Sequence, residues 1–449
     1  MSTAYLETRR HELRKTRLAM VDGNLTGNVR AVQAGASARA YGGGYWGFAS
    51  SPADDAAAIS RVQNEARDNA AAMTGFGARR VLALPDAVYS GRQAEHGRGE
   101  LPAGEAIERL AELHAFCMQR YPGLRSTRLI ATDEHHVKEL ELGDGRGTSL
   151  SRIQRAAAYV ALVAEDADGA PIELMEIVSG IGTLADIDWS VAAFTPKLDA
   201  LYQHLQAKRQ AVPARGGLHR VVMAAELAGM LAHEAMGHPC EADSVLGGAI
   251  TADLVGRPVA SDLVTMADLA HHFEGSELMC PVYVDDEGTP ARDVTLIERG
   301  VLREFMHSRE TAARLDRAPT GNARAYAPDD EPLVRMRNTA ILPGTSTLAQ
   351  MIEGVDDGYL LLKSGNGQAD ATTEFMFGID LGYEIKGGRL GRAIRDTTVS
   401  GSALKVLQSV DAVGREMEWN CNGYCGKKQP MVVSVGGPAL RALAHLGGE

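Results

Sequence analysis

The stretch that decides the fold is GLHRVVMAAELAGMLAHEAMGHPC, residues 217–240. Residues 217–224 carry the closely spaced apolar side chains of a β-strand. Residues 225–238 predict a helix that ends at Gly237 and Pro239, because glycine and proline terminate helices. A strand therefore runs directly into a helix that ends in two histidines.

The segment before this strand divides the chain. QHLQAKRQAVPARGG, residues 203–217, is polar and contains a proline and two glycines, as connections between domains do. A chain of 449 residues is also too long for one ordinary core. We therefore predict two domains, residues 1–210 and 211–449.

The N-terminal half alternates strand and helix signals. SARAYGGGYWGFASS, residues 37–51, predicts a strand with glycines where backbones approach closely. Residues 51–73 predict a helix in which Ser51 and Pro52 supply the cap and first turn, and residues 102–121 predict another.

The C-terminal half is rich in short apolar runs separated by turn residues, which predict a large and mostly antiparallel sheet. These runs are residues 280–307, 333–342, 358–363, 375–401 and 430–437.

Charge and hydropathy exclude several classes of protein. The net charge of −12 argues against general nucleic-acid binding, because phosphate contacts require a basic surface. No run approaches the length of apolar sequence that spans a bilayer, so we expect no membrane partner and a cytoplasmic location. One basic cluster has helical spacing and is expected to form a solvated face. It comprises Arg9, Arg10, Arg14, Lys15 and Arg17.

The two histidines at the helix end suggest a zinc site. His233 and His238 are five positions apart, which on a regular helix separates them by about 140°. A widened last turn, as in a π-bulge, would bring the two histidines together. Gly237 lowers the conformational free-energy cost of such a turn. Glu234 could then act as general base toward a water activated by zinc, which suits amide hydrolysis. The alternative is two hydrogen-bonded histidines with Glu234 paired to an arginine.

A third ligand has to decide between these interpretations. Spacing leaves five candidates open, of which two lie just after His238 and two lie in WNCNGYCGKKQP, interpreted as a loop that presents thiolates. The candidates are Cys240, Glu241, Cys280, Cys421 and Cys425.

Taken together, the motifs of this chain resemble those of the TldD/PmbA family of zinc metallopeptidases. The family's HExxxH pattern is present at residues 233–238 and is followed by the acidic pair Glu241 and Asp243. The further matches are collinear over nearly the whole length. They are GGGYWGFASS at 42–51, DDEGTP and LIERGVL within 285–302, TGNAR at 320–324, PLVRMRNTAILPG at 332–344 and CGKKQ at 425–429.

The resemblance implies that Cys425 is the third zinc ligand beside His233 and His238, with Glu234 as catalytic base. Cys240 is then a packing residue, and Cys421 remains a stand-in. The loop departs from the family's CGK-x-GQ pattern, because the glycine is missing before Gln429.

The resemblance also implies an α+β fold, with an N-terminal α/β domain, a β-rich C-terminal domain and the HExxxH helix near their junction. Its members look like dimers that enclose the active site, which predicts cleavage of small or unfolded peptides. The partner would be a second copy or a PmbA-like paralogue, and this chain would be the catalytic member.

Two rival hypotheses keep part of this interpretation. In one, a TldD-like amide hydrolase acts on a small-molecule intermediate of natural-product biosynthesis. In the other, a non-enzymatic subunit binds peptides or a partner chain.

Other polar residues are assigned structural roles. The pairs His135-His136 and His271-His272 are expected at the surface, and VDDEGTP, residues 284–290, predicts a hairpin turn rather than a calcium loop. Arg335 and Arg337 lie on one side of a predicted strand and are candidates for binding a substrate carboxylate. An ion pair within the fold is the alternative.

Overall fold

The computed structural model describes residues 5–77, 79–86, 91–92, 99–142, 147–369 and 373–448. Its α-helices are α1 (Ala56–Met73), α2 (Ala103–Arg120), α3 (Val191–Lys208), α4 (Ala225–Leu231), α5 (Ala242–Leu246), α6 (Arg309–Leu315), α7 (Leu348–Glu353) and α8 (Ala403–Gln408).

The strands are numbered in chain order. Those of the N-terminal half are β1 (Tyr5–Val21), β2 (Asn24–Gly42), β3 (Tyr45–Ser51), β4 (Gly91–Arg92), β5 (Ser126–Leu142), β6 (Thr148–Glu165) and β7 (Pro171–Ile181). Those of the C-terminal half are β8 (Gly217–Met223), β9 (Met266–Leu269), β10 (His272–Phe273), β11 (Ser276–Glu277), β12 (Val294–Glu298), β13 (Val301–Leu302), β14 (Ala323–Arg324), β15 (Leu333–Val334), β16 (Asn338–Ile341), β17 (Asp357–Ala369), β18 (Glu374–Lys386), β19 (Arg389–Ile394), β20 (Thr397–Ser402), β21 (Ala412–Val413), β22 (Glu418–Lys427), β23 (Gln429–Gly437) and β24 (Leu440–Leu446).

The N-terminal strands form one sheet in the order β3-β2-β1-β5-β6-β4, with β7 beside β6. Its long strands pair antiparallel. Hairpins join consecutive strands, and the central pair β1–β5, whose strands are far apart in sequence, is antiparallel as well. The turn between β1 and β2 has positive φ at Asp22 (50°) and Gly23 (74°), the combination that matches the twist of a two-residue hairpin. The alternation of strand and helix expected here therefore does not produce a parallel sheet.

Helix α1 packs closely on β3. A Cβ on Gly47 would lie 2.1 Å from the carbonyl oxygen of Ala66, so the predicted close approach of backbones is confirmed. The helix begins later than expected. Asp55 is the N-cap, with its carboxylate accepting from two backbone amides of the first turn, and Ser51 still belongs to β3. The cap at Ser51 and Pro52 was therefore wrong.

The basic cluster of the first twenty residues lies on a strand and not on a helix. Arg10, Arg14 and Arg17 are exposed on β1, as expected of a solvated face. Arg9 is buried and donates to the backbone oxygens of Ala327, Pro328 and Asp330. The helical prediction failed because the charges sit on a strand whose two faces contact different partners.

The C-terminal strands form two large sheets. One has the order β13-β12-β9-β16-β23-β22, with only the β16–β23 pair parallel among its described pairings. The other has the order β17-β8-β24-β20-β18-β19, with β21 on β24, and β17 also pairs with β18. The mostly antiparallel C-terminal half is confirmed, as is the α+β class.

Helix α4 contacts β22 and β23 of one sheet and β17 of the other, and is central to the largest hydrophobic core. A Cβ on Gly229 would lie 3.1 Å from the backbone nitrogen of Gly436, so the helix backbone approaches the strand very closely. This close contact fixes the position of the helix whose end carries His233 and His238.

Buried ion pairs join the two halves. Arg39 of β2 contacts Glu7 and also Glu287, which lies in the turn at residues 284–290. The neighbouring Asp286 binds Lys138 of β5 at 2.7 Å. The hairpin turn predicted there is confirmed, since Val284 and Pro290 bridge antiparallel. Asp286 and Glu287 therefore bind the N-terminal sheet, whereas the carboxylate of Asp285 accepts from backbone N–H groups of the C-terminal half.

None of the helices in the described part of the chain combines the length and the apolar character that crossing a bilayer requires.

Candidate metal centre

The end of helix α4 is widened, as the spacing of the histidines predicts. Residues Ala232–Gly237 form a π-helical turn, and a short 3₁₀ turn follows at His238–Cys240. Hydrogen bonds of the i→i+5 type bring residues five apart onto one face. The rings of His233 and His238 accordingly lie 4.8 Å apart between centroids.

Gly237 serves this turn by its small size. Its φ of −59° is ordinary for a helix, so the conformational freedom of glycine is not used. A Cβ there would lie 2.2 Å from the Sδ atom of Met336. The reason given for this glycine from the sequence was therefore wrong, and the real reason is the approach of Met336.

Three predicted ligands converge. Ligand atoms of His233, His238 and Cys425 all lie within 4.8 Å of one another. The Nε2 atom of His238 and the Sγ atom of Cys425 are 3.4 Å apart, close to the roughly 3.6 Å expected for two ligands of one tetrahedral zinc. His233 is buried, and its Nδ1 atom has no hydrogen-bond partner. Two imidazoles and a cysteine sulfur are a donor set that fits a zinc ion.

Cys425 lies on a strand rather than on the expected loop. It pairs with Met431 across the β22–β23 hairpin, whose turn residue Lys428 has a φ of 59°. Lysine thus adopts the left-handed conformation that glycine favours, at the point where the family pattern has an additional glycine. The strand fixes the thiol more rigidly than a loop would.

The electrostatics favour a thiolate at Cys425. Burial raises the pKa of this thiol, but hydrogen bonds and charge from His233 and His238 outweigh burial and lower the pKa to about 5. For His238, burial alone would lower the pKa of the ring. The hydrogen bonds of His238 with Cys425 and Glu241 outweigh burial and raise this pKa to about 10. The thiolate form is the one that binds metals.

Glu241 supports His238 from behind. Its Oε2 atom lies 3.1 Å from Nδ1 of His238, which leaves Nε2 facing Cys425. Lys427 donates to Glu241 at 3.0 Å and to Asp243 at 2.6 Å. A carboxylate on the second ring nitrogen orients a metal-binding histidine.

Glu234 faces an open cavity of about 1800 Å³. Its Oε2 atom lies 3.9 Å from Nε2 of His238, so the carboxylate and the three converging donors share one space. Strand β7, helix α3 and strands β17 and β22 supply further walls. Both halves of the chain therefore contribute to the space in front of the site.

The other candidate third ligands lie elsewhere. Cys240 is fully buried in the hydrophobic core, where burial raises the pKa of its thiol. Cys280 and Cys421 contact each other, with their Sγ atoms 3.4 Å apart. Glu241 binds the outer nitrogen of His238 and is not part of the converging set.

The structure does not bring Arg335 or Arg337 to the described cavity walls. Both side chains are fully buried. Arg337 pairs with Asp268 at 2.8 Å, and Arg335 donates to the carbonyl oxygens of Cys425 and Gln429. Arg335 therefore holds the backbone of the hairpin that carries Cys425.

The paired histidines differ from each other. His271 is partly exposed and His272 is exposed, as expected. His136 is buried, so the prediction that it lies at the surface was wrong. It belongs to what we call the His136 cluster, formed by His11, His136 and Glu134. The ring of His136 bonds His11 at 3.0 Å and Glu134 at 2.8 Å.

Two residues that support the site, Lys427 and Met336, have no role predicted from the sequence. Lys427 follows Cys425 by two positions, and its charge is opposite to that of the acidic pair it binds. Met336 requires Gly237 and lies between the two arginines. The charge complementarity of Lys427 was a usable signal, whereas the contact of Met336 was visible only in the fold.

Comparison with known proteins gives matches over most of the chain. Residues 216–444 match the family described as the PmbA/TldA metallopeptidase C-terminal domain, and residues 6–70 match its domain 1. A zinc metalloprotease TldD homologue of Saccharolobus solfataricus is 30% identical over 346 residues, 74% of each chain. A metalloprotease of Methanocaldococcus jannaschii is 38% identical over 249 residues, 54% of each chain.

Solved structures share the fold at lower identity. The structure of a protein of Thermotoga maritima superposes with a TM-score of 0.78 at 18% identity, covering 99% of this chain and 96% of its own. TldE from Thermococcus kodakarensis gives 0.73 at 15% identity, covering 99% and 97%.

Proposed function

The chain belongs to the PmbA/TldD family of metallopeptidases, and from this premise we propose that it is a zinc-dependent peptidase with its metal on His233, His238 and Cys425. The observation that carries the proposal is the convergence of these three side chains within 4.8 Å at the end of a π-helical turn. Chance clusters of exposed acids do not offer two imidazoles and a low-pKa thiol.

Each ligand is held by a separate part of the fold. His233 is fixed by the packing of α4 between the two sheets, His238 by Glu241, and Cys425 by the β22–β23 hairpin. Zinc bound here supplies a Lewis acid that polarises the scissile carbonyl and acidifies a water molecule.

Glu234 would move the proton. It directly follows His233, and its side chain is 13% exposed and lies beside Nε2 of His238. A carboxylate in this position takes a proton from the attacking water and returns it to the leaving amine. Its neighbour His233 is committed to the metal, so the two adjacent residues have separate roles.

The size of the cavity favours peptides over small molecules. Pockets for small ligands are about 300–1,000 Å³, whereas this cavity is about 1800 Å³. We propose small or unfolded peptides as substrates, since a folded protein would not reach the donors behind these walls. The rival small-molecule amide hydrolase is less well supported by this volume.

We extend the proposal to a dimer that encloses the cavity. Met175 and Tyr424 lie in the cavity wall and are 39% and 57% exposed, so in one chain the cavity opens to solvent. A second copy of this chain, or a PmbA-like paralogue, would cover that opening.

The proposal is tested by metal content. Zinc is measured in the wild-type protein, in Cys425→Ser and in the control Cys240→Ser, whose sulfur is buried away from the converging donors. We expect about one zinc per chain in the wild type and control, and a large loss in Cys425→Ser. Zinc retained in Cys425→Ser would reject the ligand set.

Activity is measured separately on an unfolded, fluorescently labelled peptide mixture and on small amides. Peptide turnover by the zinc-loaded wild type supports the proposed substrate class. Turnover of small amides alone would replace it with the rival hydrolase.

A further inference from the structure

Two cysteines outside the metal centre contact each other. The Sγ atoms of Cys280 and Cys421 are 3.4 Å apart. Within the described part of the chain, no disulfide joins them, and each is a free thiol. We propose that Cys280 and Cys421 are a reversible redox pair, which a hydroperoxide oxidises to a disulfide.

The two sulfurs are carried by segments of different rigidity. Cys280 is anchored to strand β16, because its N–H donates to the side chain of Asn338 and its carbonyl accepts from the same amide. Cys421 lies on β22, at the edge of the sheet, where the register with β23 shifts between Asn420 and Gly423. An irregular edge strand can move by the distance that closes an S–S bond of about 2.05 Å.

The surroundings activate one thiol of the pair. Burial raises the pKa of Cys280, but a hydrogen bond from Cys421 and the guanidinium groups of Arg155 and Arg324 lower it to about 7. Cys421 is partly exposed, so a small peroxide can reach the pair. A thiolate and a neighbouring thiol meet the requirements for peroxide oxidation followed by disulfide formation.

The same charges make the disulfide easy to reduce. Oxidation removes the negative charge of the Cys280 thiolate, while the guanidinium groups of Arg155 and Arg324 remain. The reduced form is therefore favoured electrostatically, which raises the reduction potential of the pair. This property separates a regulatory disulfide from a permanent structural one.

The step balances with a hydroperoxide as oxidant. The two thiols lose two protons and two electrons and form one S–S bond. The O–O bond of the peroxide breaks, and its oxygens leave as water and an alcohol, or as two waters for hydrogen peroxide.

A disulfide between Cys280 and Cys421 would covalently link strand β22, which lines the cavity, to the segment anchored on the interior strand β16. Asn420 and Gly423, which flank the Cys421 region, line the cavity. Cys421 precedes Cys425 by four positions on the same strand. Oxidation of the pair would therefore change the position of the cavity wall near Cys421, although neither cysteine is a proposed zinc ligand.

The test is peptide mapping of the purified full-length protein after treatment with hydrogen peroxide and alkylation of the remaining thiols. We expect a cross-linked pair of peptides containing Cys280 and Cys421, lighter by two hydrogen atoms than their sum. Cys421 and Cys425 share the tryptic peptide 416–427, and Cys240 and Cys280 share the peptide 221–292, because trypsin does not cleave between Arg257 and Pro258. The Cys425→Ser and Cys240→Ser variants are therefore mapped in parallel, and each should give the same cross-link. Excess reduced glutathione should then restore both thiols.

Two variants keep the inference testable. Cys421→Ser leaves Cys280 without a resolving thiol, so peroxide should carry Cys280 on to the sulfinic acid, which glutathione does not reverse. Cys117→Ser is the matched control. It removes a buried thiol of α2 whose pKa burial raises to about 12, and should leave the cross-link unchanged. Alkylatable thiols at both positions after peroxide, or a cross-link to Cys425 instead, would overturn the inference.

Discussion

Two histidine clusters lie on opposite sides of strand β22 and differ in what their side chains face. On one side, Cys425 meets His233 and His238. On the other, the neighbouring Tyr424 donates to Glu134 of the His136 cluster at 2.9 Å. Adjacent residues of a strand point to opposite faces, so one strand serves both clusters.

The two clusters contain similar residues, and they differ in the groups that the histidine ring nitrogens face. His136 uses both ring nitrogens on His11 and Glu134, and Glu134 is further occupied by Arg155 and Tyr326. His233 and His238 instead direct nitrogens toward a thiol. A pair of histidines is therefore informative only when free donors converge on one point.

The largest expected effect separates chemistry from stability. Glu234→Gln should lower kcat for peptide hydrolysis by about 10²–10⁴-fold, because the general base is lost, while zinc content stays at the wild-type level. The matched variant Glu134→Gln changes the same carboxylate type in the His136 cluster. It should lower the urea midpoint of unfolding and leave zinc content unchanged. Equal loss of kcat in both variants would remove the distinction between the clusters.

The pH dependence of stability tests the His136 cluster. Burial lowers the pKa of His136 to about 4, a shift that the hydrogen bond donated by His136 to Glu134 only partly opposes. Since the folded protein resists a proton that the unfolded chain accepts near pH 6.5, stability should fall by about 3 kcal/mol as pH drops from about 6.5 to 4.

Urea unfolding across this range measures the effect of His136. The variant His136→Gln should make the curve less steep, because its side chain does not titrate. The neighbouring His11, whose pKa burial also lowers, keeps the rest of the acid sensitivity. An equally steep loss in the variant would assign the acid sensitivity to other groups.

Steric contact tests the turn under the metal centre. Gly237→Ala places a Cβ about where Met336 lies, at 2.2 Å from its Sδ atom, and should destabilise the protein by about 1–3 kcal/mol. The double variant Gly237→Ala, Met336→Ala should be less destabilised than the sum of the single variants, as measured by denaturant unfolding. Simple additivity would mean that Met336 is not the obstacle.

The smallest expected effect concerns the support of His238. Lys427→Met removes the cation between Glu241 and Asp243, and should weaken zinc binding about 10–100-fold in a competition titration with a chelator. Lys428→Met, which changes the adjacent turn residue, is the control and should bind zinc like the wild type. Equal weakening in both variants would point to the hairpin and not to the charge.

Much of the architecture was predictable from local patterns. The α2 helix, the β-rich C-terminal half and the turn at residues 284–290 followed from periodicity and turn residues, and the five-residue histidine spacing required a widened turn. The register of the N-terminal sheet was not predictable in the same way, because strand pairing depends on contacts far apart in sequence.

The sequence by itself determined the candidate metal ligands, the π-helical turn and the family. The tertiary structure decided where these residues meet. Cys425 reaches His238 across 187 positions of sequence because β22 lies beside α4, and Glu241 becomes a support because Lys427 arrives from the same hairpin. The tertiary structure also decided that Arg9 and His136 are buried, since burial follows from the packing of sheets and not from the polarity of a residue. Local pattern specifies chemistry, and long-range packing specifies position.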